Sequence, residues 1–163
     1  MAKVYISYSD VLVTDWFTKA MKELVSRFDV SREHEALQYR PLQCDTQARI
    51  YEEDIACIEE SNLCVFICSE QSFYVGACMM YALDHKKTTL FLVPIRLKGK
   101  KVESQITRLM EGHPGCASVM DHYDDSANDL GVEQILTHMH RAIQMLKISG
   151  FAGRGPLAQR VRS

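Results

Sequence analysis

A chain of 163 residues is long enough for one domain that buries most of its apolar surface without disulfide or metal staples. Its apolar share of 47%, charged share of 25% and net charge of −2 fit a globular protein and argue against a general nucleic-acid binder, which would carry a basic excess. No apolar run approaches the roughly 20 residues that cross a bilayer, and strand-like residues follow Met1 almost at once, so neither a membrane span nor a signal peptide is expected and a cytoplasmic protein is.

Lys3 to Asp10, KVYISYSD, is rich in β-branched and aromatic residues and reads as a buried first strand. It stops in Tyr8, Ser9 and Asp10, which place hydroxyls and a carboxylate at the end of the strand where open α/β sheets build their sites. Trp16, Phe17, Ala20, Met21, Leu24, Val25 and Phe28 then recur at helical spacing behind Thr14 or Asp15 as a cap. Residues 29 to 35 are mostly polar, and Ala36 to Tyr39 are expected as a short second strand. Pro41 to Ala48 reads as a loop. Helical spacing resumes through Ala48, Tyr51, Ile55 and Ile58 and ends at Asn62.

Leu63 to Ser69, LCVFICS, is a continuous apolar run of strand length, as in a central strand buried on both faces. Ser69, Glu70 and Gln71 close it. Phe73 to His85 reads as a helix with Phe73, Ala77, Met80 and Leu83 on one side, and Lys86 and Lys87 suit its C-terminal dipole. Thr89 to Ile95 is a further strand. Pro94 lacks an N–H, which places that strand near an edge or at a bulge. A basic turn, Lys98 to Lys101, precedes a short helix over Val102 to Met110 and a final strand over Cys116 to Met120. Val132, Ile135, Leu136, Met139, Ile143 and Leu146 mark a last helix, capped by Asn128 or Asp129. The domain is expected to span residues 1–147, and residues 148–163, rich in Gly and Arg, to form a flexible tail.

Strands alternating with helices imply a parallel sheet covered on both faces. The expected architecture is a flavodoxin-like doubly wound α/β fold with five parallel strands in the order 2-1-3-4-5. Its strand-end cleft would gather Tyr8, Ser9, Asp10, Ser69 and Glu70.

Six cysteines (Cys44, Cys57, Cys64, Cys68, Cys78 and Cys116) fall in apolar or amphipathic runs without a CxxC pair, so they read as reduced hydrophobes and no metal site is expected. Glu52, Glu53, Asp54, Glu59 and Glu60 read as the solvated face of a helix. His34, His85, His113, His122, His138 and His140 are scattered and expected at the surface. A receiver domain is rejected, because Asp10 stands alone and Ser69 and Glu70 occupy the phosphoacceptor's place. No GxGxxG or GxxxxGK[ST] cradle is present.

Three stretches together resemble the Toll/interleukin-1 receptor (TIR) domain family. KVYISYSD resembles its first strand box. The run from Ile55 to Glu70 resembles its helix-then-strand pattern, I-x-x-x-I-x-x-S-x-x-x-[IV]-x-[IV]-[LV]-S. LFLVPIRLKG resembles its fourth strand, which ends in Pro-Ile. The likeness covers about residues 3–147. The resemblance implies a signalling adaptor in innate-immune or stress pathways that binds other TIR domains and itself, and assembles head to tail into oligomers or filaments. It implies an interface loop at Pro41, Leu42, Gln43, Cys44, Asp45, Thr46, Gln47 and Ala48, although the family's R-D-x-x-P-G is replaced there by LQCDTQ.

Enzymatic TIR domains consume NAD with a glutamate in a W-C-x-x-E pattern on the third helix. Here Ala77 replaces the aromatic, Cys78 matches, and Tyr81 stands in the glutamate's place. A tyrosine hydroxyl is not an anionic carboxylate at neutral pH. Asp84 and Glu70 are the acids left to such an enzyme. The expectation is therefore a scaffold without a cofactor, the alternatives being an NAD hydrolase or cyclase of the same fold and a SEFIR-type adaptor.

Overall fold

A computed structural model describes residues 3–8, 18–19, 22–23, 29–30, 47–68, 73–126 and 129–148. In chain order the elements are β1 (Lys3–Tyr8), β2 (Asp29–Val30), α1 (Gln47–Glu60), β3 (Leu63–Ile67), α2 (Phe73–Asp84), β4 (Thr89–Pro94), a 3-10 turn (Ile95–Leu97), α3 (Lys101–Gly112), β5 (Ser118–Tyr123) and α4 (Asp129–Ile148). Thr18, Lys19, Lys22 and Glu23 are also helical, inside the stretch expected to form the first helix.

The sheet is parallel, with strands in the order β2-β1-β3-β4-β5. Four strands have five or six residues, whereas β2 has two and pairs only with the start of β1. β2 lies at Asp29–Val30, in the stretch read as a polar connection. Ala36 to Tyr39, where a second strand was expected, is outside the described residues. β4 lies near an edge of the sheet, as expected, with only β5 outside it. Pro94 is its last residue, where the missing N–H interrupts no ladder.

Alternation along the strands feeds two cores. Val4, Ile6, Tyr8, Val65, Ile67, Leu90, Leu92 and Tyr123 pack with Ile135, Leu136, Met139 and Ile143 of α4. Tyr5, Cys64, Phe66, Phe91 and Val93 face Ile58 of α1, the inner side of α2 and Ile106 of α3. β3 is fully buried on both faces, as a central parallel strand should be. Phe66 stacks on Phe91 with ring centroids 5.7 Å apart, and Tyr5 meets Phe66 edge-on at 6.2 Å.

α2 is apolar all round, and the structure resolves which side goes in. Val75, Cys78, Met79, Ala82 and Leu83 are buried. Phe73 and Ala77 are exposed and Met80 is 37% exposed, so of the four residues grouped on one side by their spacing only Leu83 is buried. Both arcs are apolar, and burial goes to the arc whose smaller side chains, Cys78 and Ala82, let the helix approach the sheet closely.

Connections are tied by specific hydrogen bonds. Asn62 accepts from the Lys3 N–H at 3.0 Å and returns its own N–H to the Lys3 carbonyl at 2.9 Å, splicing the start of β1 to the turn before β3. Lys87 reaches across to the last carbonyls of α1, donating to Glu59 and, at 3.2 Å, to Ser61. Its charge therefore complements the dipole of α1, not that of α2 as expected. Lys86 closes α2 in the left-handed region, φ 56°, with the Lys87 N–H bonding the Ala82 carbonyl, as in a Schellman ending. Gly99, φ 72°, makes the basic turn possible.

The outer edge of β5 is protected by α4. His138 Nε2 donates to the His122 carbonyl at 2.9 Å, and the Asp124 N–H donates to Gln134 Oε1 at 2.6 Å. The helix expected from Val102 runs from Lys101 to Gly112, and the strand expected at Cys116 to Met120 lies at Ser118–Tyr123. α4 extends through Ile148, the residue at which the tail was expected to begin; residues 149–163 are outside the described residues. No helix among the described residues is long and apolar enough to cross a membrane.

Candidate active site

In this strand order the chain leaves β1 toward β2 and then returns to the other side of β1 to form β3. In open α/β sheets, the point where the strand order reverses, at the carboxyl ends of the strands, is where ligand crevices form. α1 descends toward the start of β3, and α2 begins just beyond the end of that strand. Below those strand ends, α1 and α2 pack on the side of β1 that carries Tyr5.

Asp54 occupies that position, and it is buried, with only 4% of its surface exposed. Its Oδ1 accepts from the Tyr5 hydroxyl at 3.4 Å, and its Oδ2 from the Tyr74 hydroxyl through a short hydrogen bond. Tyr5 is buried in β1, whereas Tyr74, in the first turn of α2, is 41% exposed. Burial, then Cys78 and Asp54, push the Tyr5 phenol well above its ordinary range, so it remains a donor at neutral pH. The expectation of a solvated acidic face thus fails at Asp54, though Glu52, Glu59 and Glu60 are exposed as expected. The spacing held a signal: Asp54 lies three residues after Tyr51 and four before Ile58, on the same helical arc. Charge alone assigned it outward.

Other residues singled out in the sequence separate. Tyr8 ends β1 and is buried on the α4 side of the sheet. Ser9, Asp10, Ser69 and Glu70 are outside the described residues, as are residues 41–46 of the expected interface loop. Gln47 and Ala48, assigned to that loop, are instead the first residues of α1.

Asp84 is the last residue of α2, at the amino edge of the sheet, about 18 Å along the helix from the strand ends. Its carboxylate pairs with His113 at 2.9 Å and is 61% exposed. It cannot act at the crevice. Tyr81 lies toward the same end; it donates to Glu59 Oε1 at 2.5 Å and stacks on His85. The Glu59 hydrogen bond, with burial behind it, pushes its pKa up to about 12.

Among the described residues, Cys57, Cys64, Cys68, Cys78 and Cys116 form no disulfide. Burial raises the pKa of Cys64 and of Cys68 to about 12, so neither supplies a thiolate. No group of His, Cys, Asp and Glu among the described residues could hold a metal ion.

Three histidines expected at the surface are instead part-buried and paired. His122 meets Glu103 at 2.9 Å, and His138 lies 3.1 Å from Asp121. His113 spans the Leu109 carbonyl at 2.7 Å through Nδ1 and Asp84 at 2.9 Å through Nε2. Both partners are acceptors, so the imidazolium satisfies both, and the Leu109 carbonyl and then Asp84 raise the His113 pKa.

A group raised above its unfolded value contributes stability that is complete below the ordinary histidine value of about 6.5 and is lost as pH rises through the folded value. His113→Gln is accordingly expected to lower the melting temperature at about pH 5.5 and to match the parent at about pH 9. The difference should be below about 1 kcal/mol because Asp84 is largely solvated. A loss of equal size at both pH values would contradict the assignment.

No model of a protein family matches the chain, and no curated protein is significantly similar to it. Among solved structures it is similar to the CMP N-glycosidase BcmB of Clostridium botulinum. The TM-score is 0.57 at 9% identity, over 83% of this chain and 98% of that one. The likeness shows a shared α/β fold with a parallel sheet and helices. It also corrects the step taken from sequence to function. The expected signalling scaffold is withdrawn, because the chain of this fold that it matches, over nearly that chain's whole length, is a CMP N-glycosidase.

Proposed function

We propose that this chain hydrolyses the N-glycosidic bond of a nucleotide, with Asp54 as the carboxylate at the reacting sugar. The observation that carries the reading is a carboxylate buried under the switch-point crevice and held by two tyrosine hydroxyls. The fold shared with a CMP N-glycosidase supports it. So does the sheet order, which we read as flavodoxin-like and which binds ligands at this crevice. The TIR-like stretches fall on β1, on α1 through β3 and on β4, and we read them as a TIR-type variant of that fold.

The reaction breaks the bond between C1′ and the base nitrogen. The bonding pair leaves with the base, which takes up one proton, and a water oxygen bonds C1′ and releases one. The products are the free base and ribose 5-phosphate. Positive charge develops on the sugar in the transition state, and a carboxylate stabilises it and can take the water's proton. Tyr5 fixes one oxygen of Asp54 from below. Tyr74 covers the other from the exposed side, so a swing of its side chain about the Cα–Cβ bond would open the carboxylate to substrate and its return would exclude bulk water.

The test is a panel of CMP, UMP, AMP, GMP and NAD, with released base followed by chromatography. At least one member is expected to release its base in proportion to enzyme. If none does at high enzyme concentration, the reading fails.

A further inference from the structure

Beyond the paired ends of β4 and β5, Pro94 and Tyr123, the chain places Arg96 and Asp125, each two residues farther on. Their side chains meet, Arg96 Nε donating to Asp125 Oδ2 at 2.5 Å. The guanidinium is 46% exposed and the carboxylate 16%. The pair stands at the carboxyl edge of the sheet, Arg96 two strands and Asp125 three strands from β1, which puts Arg96 about 10 Å sideways at ordinary strand spacing. That is the scale of the ribose and phosphate of a nucleotide whose sugar lies at the switch point.

Tyr123 supplies an independent observation. It is fully buried at the end of β5, and its hydroxyl has no hydrogen-bond partner among the described residues. Native structures rarely leave a buried hydroxyl in that state, and the exceptions point to function or to a missing partner. Burial, then the charge of Asp125, holds the phenol above its ordinary range, so it keeps its proton at neutral pH and can donate it in a hydrogen bond.

We propose that this corner is the phosphate subsite of the nucleotide: Arg96 exchanges the Asp125 carboxylate for the substrate's phosphate, and the Tyr123 hydroxyl donates to the same group. The inference rests on the nucleotide reading and adds which residues recognise the charged end. The planar guanidinium fork matches phosphate geometry with two parallel donors. In the free protein Asp125 holds Arg96 in place and opposes anions, so a dianionic phosphate is favoured over a singly charged group.

The test is calorimetric titration of the full chain carrying Asp54→Asn, with CMP against cytidine and AMP against adenosine, with and without Arg96→Gln. At least one nucleotide is expected to bind about tenfold or more tightly than its nucleoside, about 1.4 kcal/mol, and Arg96→Gln to erase most of that ratio. Asp125→Asn removes the competing carboxylate and should tighten nucleotide binding; Tyr123→Phe should lower the ratio in part. A ratio unchanged by Arg96→Gln in a folded protein, or no preference for either nucleotide, overturns the subsite. The two readings fail separately. Nucleotide binding through Arg96 without hydrolysis by the parent would sink the reaction and keep the subsite. Hydrolysis with no preference for nucleotide over nucleoside would do the reverse.

Discussion

Asp54→Asn is expected to reduce base release by about 100-fold or more while leaving the chain folded. The amide keeps the shape of the carboxylate. Its oxygen accepts from one of Tyr5 and Tyr74, and its NH2 can donate to the hydroxyl oxygen of the other. What it removes is the negative charge that opposes the positive charge developing on the sugar.

Asp54→Ala separates structure from chemistry. It takes the carboxylate acceptor from the hydroxyl of Tyr5, a residue 1% exposed, and leaves that hydroxyl the weaker contacts of Cys78 and Ser7. The cost should be about 1–3 kcal/mol, read as a drop in melting temperature that the Asn variant largely avoids. If the Asn variant turns over nucleotides within a few-fold of the parent, Asp54 is a structural acceptor and the carboxylate of the reaction lies elsewhere.

Phe91→Ala is expected to destabilise the protein by about 3–5 kcal/mol in urea unfolding, against a total that is typically about 5–15 kcal/mol. Phe91 is fully buried in β4 and stacked on Phe66, so truncation loses apolar burial and ring contact and leaves a void between the sheet and the helices that cover this face. Phe73→Ala makes the control. It removes the same side chain from the exposed start of α2 and should change stability by no more than about 0.5 kcal/mol. Equal costs at the two positions would mean that α2 faces the sheet with its other side.

That contrast marks a boundary in what the chain discloses. β1, β3 and β4 were readable because a strand buried in a parallel sheet must be apolar or β-branched for four to six consecutive residues, and KVYISY, LCVFI and TLFLVP have no other use. α4 was readable because Ile135, Leu136, Met139 and Ile143 repeat at helical spacing against polar neighbours. β2 was misplaced because two residues carry too little pattern to be seen.

The candidate site was the least legible part. Hydroxyls and acids at the strand ends pointed to the carboxyl edge as the place of chemistry, which follows from parallel topology alone. Asp54 was assigned to solvent, since an acid among acids on a helix is usually solvated, and only the packing of α1 over β1 and against α2 shows it buried between Tyr5 and Tyr74. Asp84 was kept as a candidate because it is one turn from Tyr81; the direction of α2 carries it to the opposite end of the sheet, where it holds His113.

By itself, then, the sequence determined the alternation of strands and helices, the burial of β3 and the amphipathic last helix, because each depends on the local period of apolar residues. Only the tertiary structure decided which arc of α2 is buried, where Asp54 sits, and that Arg96, Asp125 and Tyr123 share one corner. Those facts depend on distances between residues 20 to 70 apart in the chain, brought together by strand order and helix direction, and no local pattern encodes them.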